Sequence, residues 1–258
     1  METLVLKIGG STLESLPQAF YKHVHELTRT NNVIIVHGGG PAINDALEKN
    51  AIEATFHQGL RVTTPEVLQT CEMVLSGQTN KYLVTKLQEQ HVAAFGLSGI
   101  DGELLQAKLA DQTGALGLVG DIAHVNKQMI TMLLANNYVP VISPISMTKE
   151  KQKLNVNADS AAAAIAKAMQ AKLVFVTNIK GVMSKQKEII PFLSKKAIEV
   201  AITDGTISGG MIPKVKAALS CIESGVQESI ILDSESLIGL ATHTACGTSI
   251  RLEEASYV

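Results

Sequence analysis

Short runs of β-branched and other apolar residues alternate along this chain with longer stretches whose apolar positions recur at helical spacing. Residues 3–8, 33–36, 92–96, 138–143, 173–177 and 229–232 read as strands. Phe20, Val24 and Leu27 lie on one face of a predicted helix between Pro17 and Thr30, and Pro41 opens another at a favoured first-turn position. Pro65 does the same for a helix over 66–76, and 158–169 and 214–224 are compact segments of strong helix propensity. This alternation predicts βαβ units and a largely parallel sheet. Three segments interrupt it, 55–62, 103–125 and 182–190, where Gly and charged residues separate short strand-like runs. They are expected to be hairpins added to the main sheet.

The uncharged run 128–148 is broken by Asn136, Asn137, Pro140 and Pro144, so it reads as a helix end, a turn and a buried strand, not a membrane span. Of 258 residues, 46% are hydrophobic, enough for a sizeable core. Lys and Arg number 22 against 24 Asp and Glu, a formal charge of -2, so no basic field exists for nucleic acid or an anionic membrane. Cys71, Cys221 and Cys246 are odd in number and far apart, which argues against a disulfide framework and for a reducing cytoplasm. The first residues lack the basic flank and apolar length of an export signal.

Three glycine clusters carry the candidate chemistry. Lys7-Ile8-Gly9-Gly10-Ser11 and His37-Gly38-Gly39-Gly40-Pro41 each follow an apolar strand and precede a helix. At the carboxyl end of a parallel strand, glycine lets backbone approach a ligand, and free N–H groups at the next helix start attract anions. Either cluster alone could serve only a tight turn; two in one chain favour a ligand site. Lys7 ends a hydrophobic strand beside Gly9 and Gly10, so its ammonium should reach the same mouth, and polyphosphate is the natural guest. The third cluster, 208–214, places Lys214 just inside a predicted helix. Asn155, Asn157 and Asp159 lie just before and at the start of the helix over 158–169. One cap needs one such residue, and Asn157 stands equally well as cap or as site residue.

Several familiar signatures are missing. The chain has no G-x-x-x-x-G-K-[ST] loop and no protein-kinase H-R-D or D-F-G set. Ile43 occupies the place of the third glycine of a dinucleotide fingerprint, Ile100 that of the second glycine of a nucleophile elbow, and Arg29 that of the second histidine of H-E-x-x-H. The seven histidines show no ligand spacing, and no protein-held metal is predicted.

Taken in order, KIGGS, VHGGGP at 36–41, GLRVT at 59–63, NVNAD at 155–159 and SGGMIPKV at 208–215 resemble the amino-acid kinase family over essentially the whole chain. The resemblance implies a three-layer αβα sandwich around a central, mainly parallel sheet, the carbamate kinase-like fold, in one domain over 1–258. Within it, 1–170 would form an N-terminal lobe binding the acyl amino acid and carrying the dimer contacts, and 171–258 a nucleotide lobe. It implies ATP-dependent phosphorylation of the side-chain carboxylate of N-acetyl-L-glutamate in arginine biosynthesis, with Mg²⁺ carried by the nucleotide. Lys7 and Lys214 would flank the transferring phosphoryl group, Asp159 would hold both lysines, and Gly10 would contribute a backbone N–H. Gly39, Gly40, Arg61, Asn155 and Asn157 would bind the acyl amino acid, with Arg61 pairing a carboxylate. Gly9, Ser11, Thr177, Asn178, Gly181, Gly209 and Gly210 would line the nucleotide side. Position 178 departs from the family, which commonly has Asp there. Acetylaminoadipate or another acidic amino acid is the alternative acceptor, and a non-catalytic ligand sensor the remoter one. Arginine-inhibited members carry an extra N-terminal helix; six residues precede Lys7, so a homodimer without strong arginine feedback is expected.

Overall fold

The computed structural model describes residues 1–252, so the last six residues of the expected nucleotide lobe lie outside the described residues. The chain runs β1 (Glu2–Ile8), α1 (Gly10–Leu13), α2 (Gln18–Thr28), β2 (Asn31–His37), α3 (Gly40–Lys49), β3 (Phe56–His57), β4 (Leu60–Arg61), α4 (Pro65–Glu72) and α5 (Asn80–Gln88). It continues through β5 (Ala94–Ser98), β6 (Leu105–Leu109), β7 (Val119–Val125), α6 (Lys127–Ala135), β8 (Val139–Ser143), β9 (Ile145–Met147), β10 (Lys153–Val156), α7 (Ala158–Met169) and β11 (Lys172–Thr177). Then follow β12 (Phe192–Ser194), α8 (Lys195–Thr203), α9 (Met211–Glu223), β13 (Ser229–Asp233), α10 (Ile238–Thr242) and β14 (Thr248–Arg251).

An eight-stranded sheet has the order β12-β14-β13-β11-β1-β2-β8-β5. Its pairings are parallel except β13 with β14. The strands after residue 171 occupy one half of this sheet and those before it the other. Period-two alternation sends neighbouring side chains of each central strand to opposite faces. Val5, Ile34, Val36, Leu173 and Phe175 join the helices α6 to α9 in one core. Leu4, Leu6, Ile8, Val33, Ile35, Val174 and Val176 join α2, α5 and α10 in the other. The result is the expected three-layer α/β arrangement, each fully buried aliphatic side chain contributing about 1.5–3 kcal/mol of transfer free energy.

The interrupting segments turn out differently from expectation. Residues 103–125 do form an antiparallel pair, β6 with β7, but it closes with β9 and β10 into a separate four-stranded barrel instead of extending the main sheet. β3 and β4 make a two-stranded ribbon of their own, turning through Gln58 and Gly59 with φ of 49° and 81°, and 182–190 contributes one isolated bridge, Met183 with Ile189. The strand expected at 92–96 begins at Ala94, because the Val92 N–H is spent on the Leu87 carbonyl that ends α5.

The helix expected to stop at residue 76 continues. Thr64 caps α4 by accepting from the Val67 N–H, and the chain stays helical to Gln88 through a π-helical stretch, Met73–Thr79. Before that stretch the rod packs Val67, Leu68 and Cys71 against α3; after it, Leu83 and Leu87 enter the core beneath α2.

Candidate active site

β1 and β2 lie side by side, and both end in glycine turns at the same edge of the sheet. The Gly38 N–H donates to the Ile8 carbonyl at 2.9 Å, tying the second turn to the end of β1. The two turns touch backbone to backbone. A Cβ placed on Gly10 would stand 2.5 Å from the Gly40 nitrogen and 2.9 Å from Pro41 Cδ. Glycine at position 10 is therefore a packing requirement, since nothing between the turns can yield to a methyl group.

A cavity of about 450 Å³ opens on one side of this seam, lined by Lys7, Gly9, Ser11, Thr12, Asp159, Phe175, Thr177, Asn178 and Lys214 among others. Lys7 shares a face of β1 with Val5, and its Nζ pairs with Asp159 Oδ1 at 2.8 Å. Asp159 lies in the first turn of α7, which Asn157 caps by accepting from the Asp159 and Ser160 N–H groups at 2.7 and 3.4 Å. Lys214 comes from the first turns of α9, far away in sequence. Its ammonium is held below the ordinary lysine range, first by burial and then by the like charge of Lys7, which puts the two cations in one electrostatic neighbourhood. Helix starts of α1, α7 and α9 all border this cavity, turning the positive ends of their dipoles toward it.

One expected contact is different. Asp159 pairs with Lys7, whereas Lys214 Nζ donates to Asn178 Oδ1 at 2.7 Å. Asn178, expected on the nucleotide, is thus engaged with the second lysine. A neutral amide holds that ammonium in place without cancelling its charge. Gly181, Gly209 and Gly210 stand outside the cavity lining. Gly181 is buried, and a Cβ there would sit 2.9 Å from both Ile189 and Thr248, so close packing accounts for it. Gly209, with φ of 54°, and Gly210, the N-cap of α9, form the turn that delivers Lys214.

Across the seam lies a second cavity of about 190 Å³, lined by Gly38, Gly39, Gly40, Phe56, Arg61, Asn155, Asn157 and Ala158 among others. All five residues expected to bind the acyl amino acid border it. Arg61, at the end of the β3–β4 ribbon, lies with its guanidinium 4.7 Å from the centre of the Phe56 ring and donates through Nη2 to Asn44 Oδ1 at 2.6 Å. Its Nη1 is buried without a partner, a costly state for a guanidinium that a carboxylate would relieve. Asn155 Nδ2 donates to Thr63 Oγ1 at 3.1 Å, which orients the amide on β10. Sequence reasoning missed Asn44 and Phe56, the two residues that fix Arg61; only the aromatic just before the Gln58–Gly59 turn gave any signal.

The arrangement is a cavity with two ammonium groups beside a smaller cavity bearing a guanidinium. The sequence profile described as "Amino acid kinase family" matches residues 2–233. An acetylglutamate kinase of Halalkalibacterium halodurans is 44% identical over 252 residues, covering 97% of this chain and 96% of its own. One of Oceanobacillus iheyensis is 45% identical over 266 residues, with full coverage of both chains. Among solved structures, the Streptococcus mutans protein smu.665 superposes with a TM-score of 0.80 at 30% identity, covering 97% of this chain and 99% of that one. A carbamate kinase of Giardia lamblia superposes with a TM-score of 0.67 at 16% identity, covering 98% of this chain and 99% of that one, which speaks for the fold.

Proposed function

The chain belongs to the amino acid kinase family, and we propose that it transfers the terminal phosphoryl group of ATP to the side-chain carboxylate of N-acetyl-L-glutamate, a step of arginine biosynthesis. The observation that carries this reading is the pair of cavities on either side of one glycine seam, with Lys7 and Lys214 on the larger and Arg61 on the smaller. ATP occupies the larger cavity, between the end of β1 with its glycine turn and the end of β11 with the start of α9, and the acyl amino acid the smaller.

The acceptor carboxylate has a reference pKa of about 4.3, so it is ionised at neutral pH and attacks without a general base. What the reaction needs is positioning and charge. Lys7 and Lys214 offset charge on the equatorial phosphoryl oxygens, the Gly10 N–H adds a donor, and Asp159 holds Lys7 at the angle its ion pair dictates. Asp159 is the carboxylate on this lining and is engaged by Lys7, which suits a magnesium ion that arrives bound to phosphate oxygens and water. That ion supplies further charge neutralisation on the phosphates.

Arg61 binds a carboxylate of the acyl amino acid. Arg61→Ala is expected to raise KM for that substrate at least tenfold, about 1.5–3 kcal/mol for a charge-assisted contact, with KM for ATP nearly unchanged. Steady-state kinetics with each substrate varied in turn checks this; the opposite split would put Arg61 in the nucleotide half.

Incubation with ATP, Mg²⁺ and a panel of free and acylated acidic amino acids, trapping acyl phosphate as the hydroxamate, tests the function. N-acetyl-L-glutamate should give the highest kcat/KM. Preference for N-acetylaminoadipate, one methylene longer, or no hydroxamate at all, would overturn it. The enzyme is further read as a cytoplasmic homodimer; among the described residues no helix is long and apolar enough to cross a membrane.

A further inference from the structure

His37 ends β2 and is completely buried beneath the glycine turn. Its Nδ1 is 3.1 Å from the Gly38 carbonyl oxygen, and its Nε2 is 3.2 Å from Asn80 Nδ2. The tautomer of the ring follows from neighbours that can only donate or only accept. Lys81 Nζ stands 2.9 Å from Asn80 Oδ1, so that atom is the amide oxygen and Nδ2 faces His37. The same Nδ2 lies 2.8 Å from the Val141 carbonyl, which again requires a donor. Nδ2 also lies 3.4 Å from the Leu97 carbonyl, but a hydrogen on His37 Nε2 would face a nitrogen that cannot accept it, so Nε2 carries the lone pair and the ring hydrogen sits on Nδ1, donating to Gly38. Burial pushes the imidazole down to about 4, with the Gly38 bond opposing and the Lys81 charge assisting, so the ring is neutral under working conditions.

The peptide joining Gly38 to Gly39 is trans, so its N–H points opposite to its carbonyl. With the carbonyl drawn toward the buried ring, the Gly39 N–H faces the open side, where Gly38, Gly39 and Gly40 border the smaller cavity. Among the described residues the Gly39 N–H donates to no backbone carbonyl.

We infer that His37 is a positioning residue, whose Nδ1–H pins the Gly38 carbonyl and thereby aims the Gly39 N–H at the carboxylate of the acyl amino acid. This inference rests on the acyl amino acid occupying that cavity. The ring touches neither substrate; it acts through one peptide plane.

Two substitutions separate the ring's two contacts. In His37→Asn the amide lies near the place of Nδ1 and can still donate to Gly38, so KM for N-acetyl-L-glutamate should stay within about threefold of wild type. In His37→Gln the amide lies near the place of Nε2, keeping Asn80 but releasing Gly38, so that KM should rise at least tenfold while KM for ATP stays within about twofold. Equal KM values in the two variants, or a rise in both substrates' KM in step with lost thermal stability, would overturn the inference. A second readout needs neither variant nor turnover: ¹⁵N NMR of the substrate-free wild-type protein should show the Nδ1–H tautomer of His37. An Nε2–H tautomer or an imidazolium at neutral pH would sink the inference whatever the enzyme phosphorylates. Absence of hydroxamate from wild type with the Nδ1–H tautomer present would instead count against the acceptor assignment.

Discussion

Lys214→Ala is expected to lower turnover at least 100-fold, about 3 kcal/mol in the barrier, while leaving thermal stability nearly intact. The charge of Lys214 is matched by no carboxylate in the described structure, its acceptor being the amide of Asn178. That uncompensated charge is available to a phosphoryl group as negative charge spreads over its oxygens, and removal of one preorganised electrostatic group of this kind costs about 10²–10³ in rate. Lys7→Ala should cost turnover similarly but differ in a second respect. Its ammonium is paired with Asp159, and both side chains are largely shielded, at 16% and 34% exposure. Deleting it strands a partly buried carboxylate, so Lys7→Ala should also melt at a lower temperature. Single-turnover rates and thermal melts of both variants check this contrast. Near-normal turnover in Lys214→Ala would refute the assignment of the larger cavity as the site of phosphoryl transfer.

Gly10→Ala should be comparably damaging for a purely steric reason. The added methyl group would meet the Gly40 nitrogen at 2.5 Å, Pro41 Cδ at 2.9 Å and the Gly39 carbonyl carbon at 3.0 Å. None of these atoms belongs to a flexible side chain that can swing aside, so the two turns must separate. Overpacking of this kind costs about 1–3 kcal/mol in stability, about 2–4 °C in melting temperature per kcal/mol for a chain of this size. The kinetic penalty is larger, because a displacement of about 1 Å between reacting groups can cost about 100-fold. We expect kcat to fall by that order. A variant with wild-type kcat and wild-type melting temperature would show that the turns do not need to touch.

The central strands were legible because each is a short apolar run whose alternate side chains face two different cores. The capped helices were legible too: α7 spans the expected 158–169, begun by Asn157 and ended by Gln170 at φ 52°. The barrel strands β9 and β10 were not. β10 shows only four residues, and the burial of Leu154 and Val156 is decided by β7 and β9, which are distant in sequence. At the site, the Lys7–Asp159 pair joins two residues singled out by their neighbours, a charged residue after a buried strand and a carboxylate at a helix start. The contact between Lys214 and Asn178 was not legible, because no sequence pattern says which of two polar groups a flexible lysine will reach. Gly181 shows a related ambiguity. A glycine between an aromatic-containing strand and a hairpin has the same signature whether it makes room for a ligand or for Ile189 and Thr248.

The π-helical stretch Met73–Thr79 amounts to one extra residue inserted into an otherwise ordinary helical rod. Each residue of an α-helix turns by about 100°, so the insertion resets the angular phase of everything downstream. Ahead of it the rod shows its apolar stripe to α3, and beyond it to the core under α2, with Asn80 brought to His37 at the changeover. A one-residue deletion there would straighten the rod and rotate Asn80 about a quarter turn away. Such a deletion would remove no catalytic group, only the phase offset that lets one rod serve two cores.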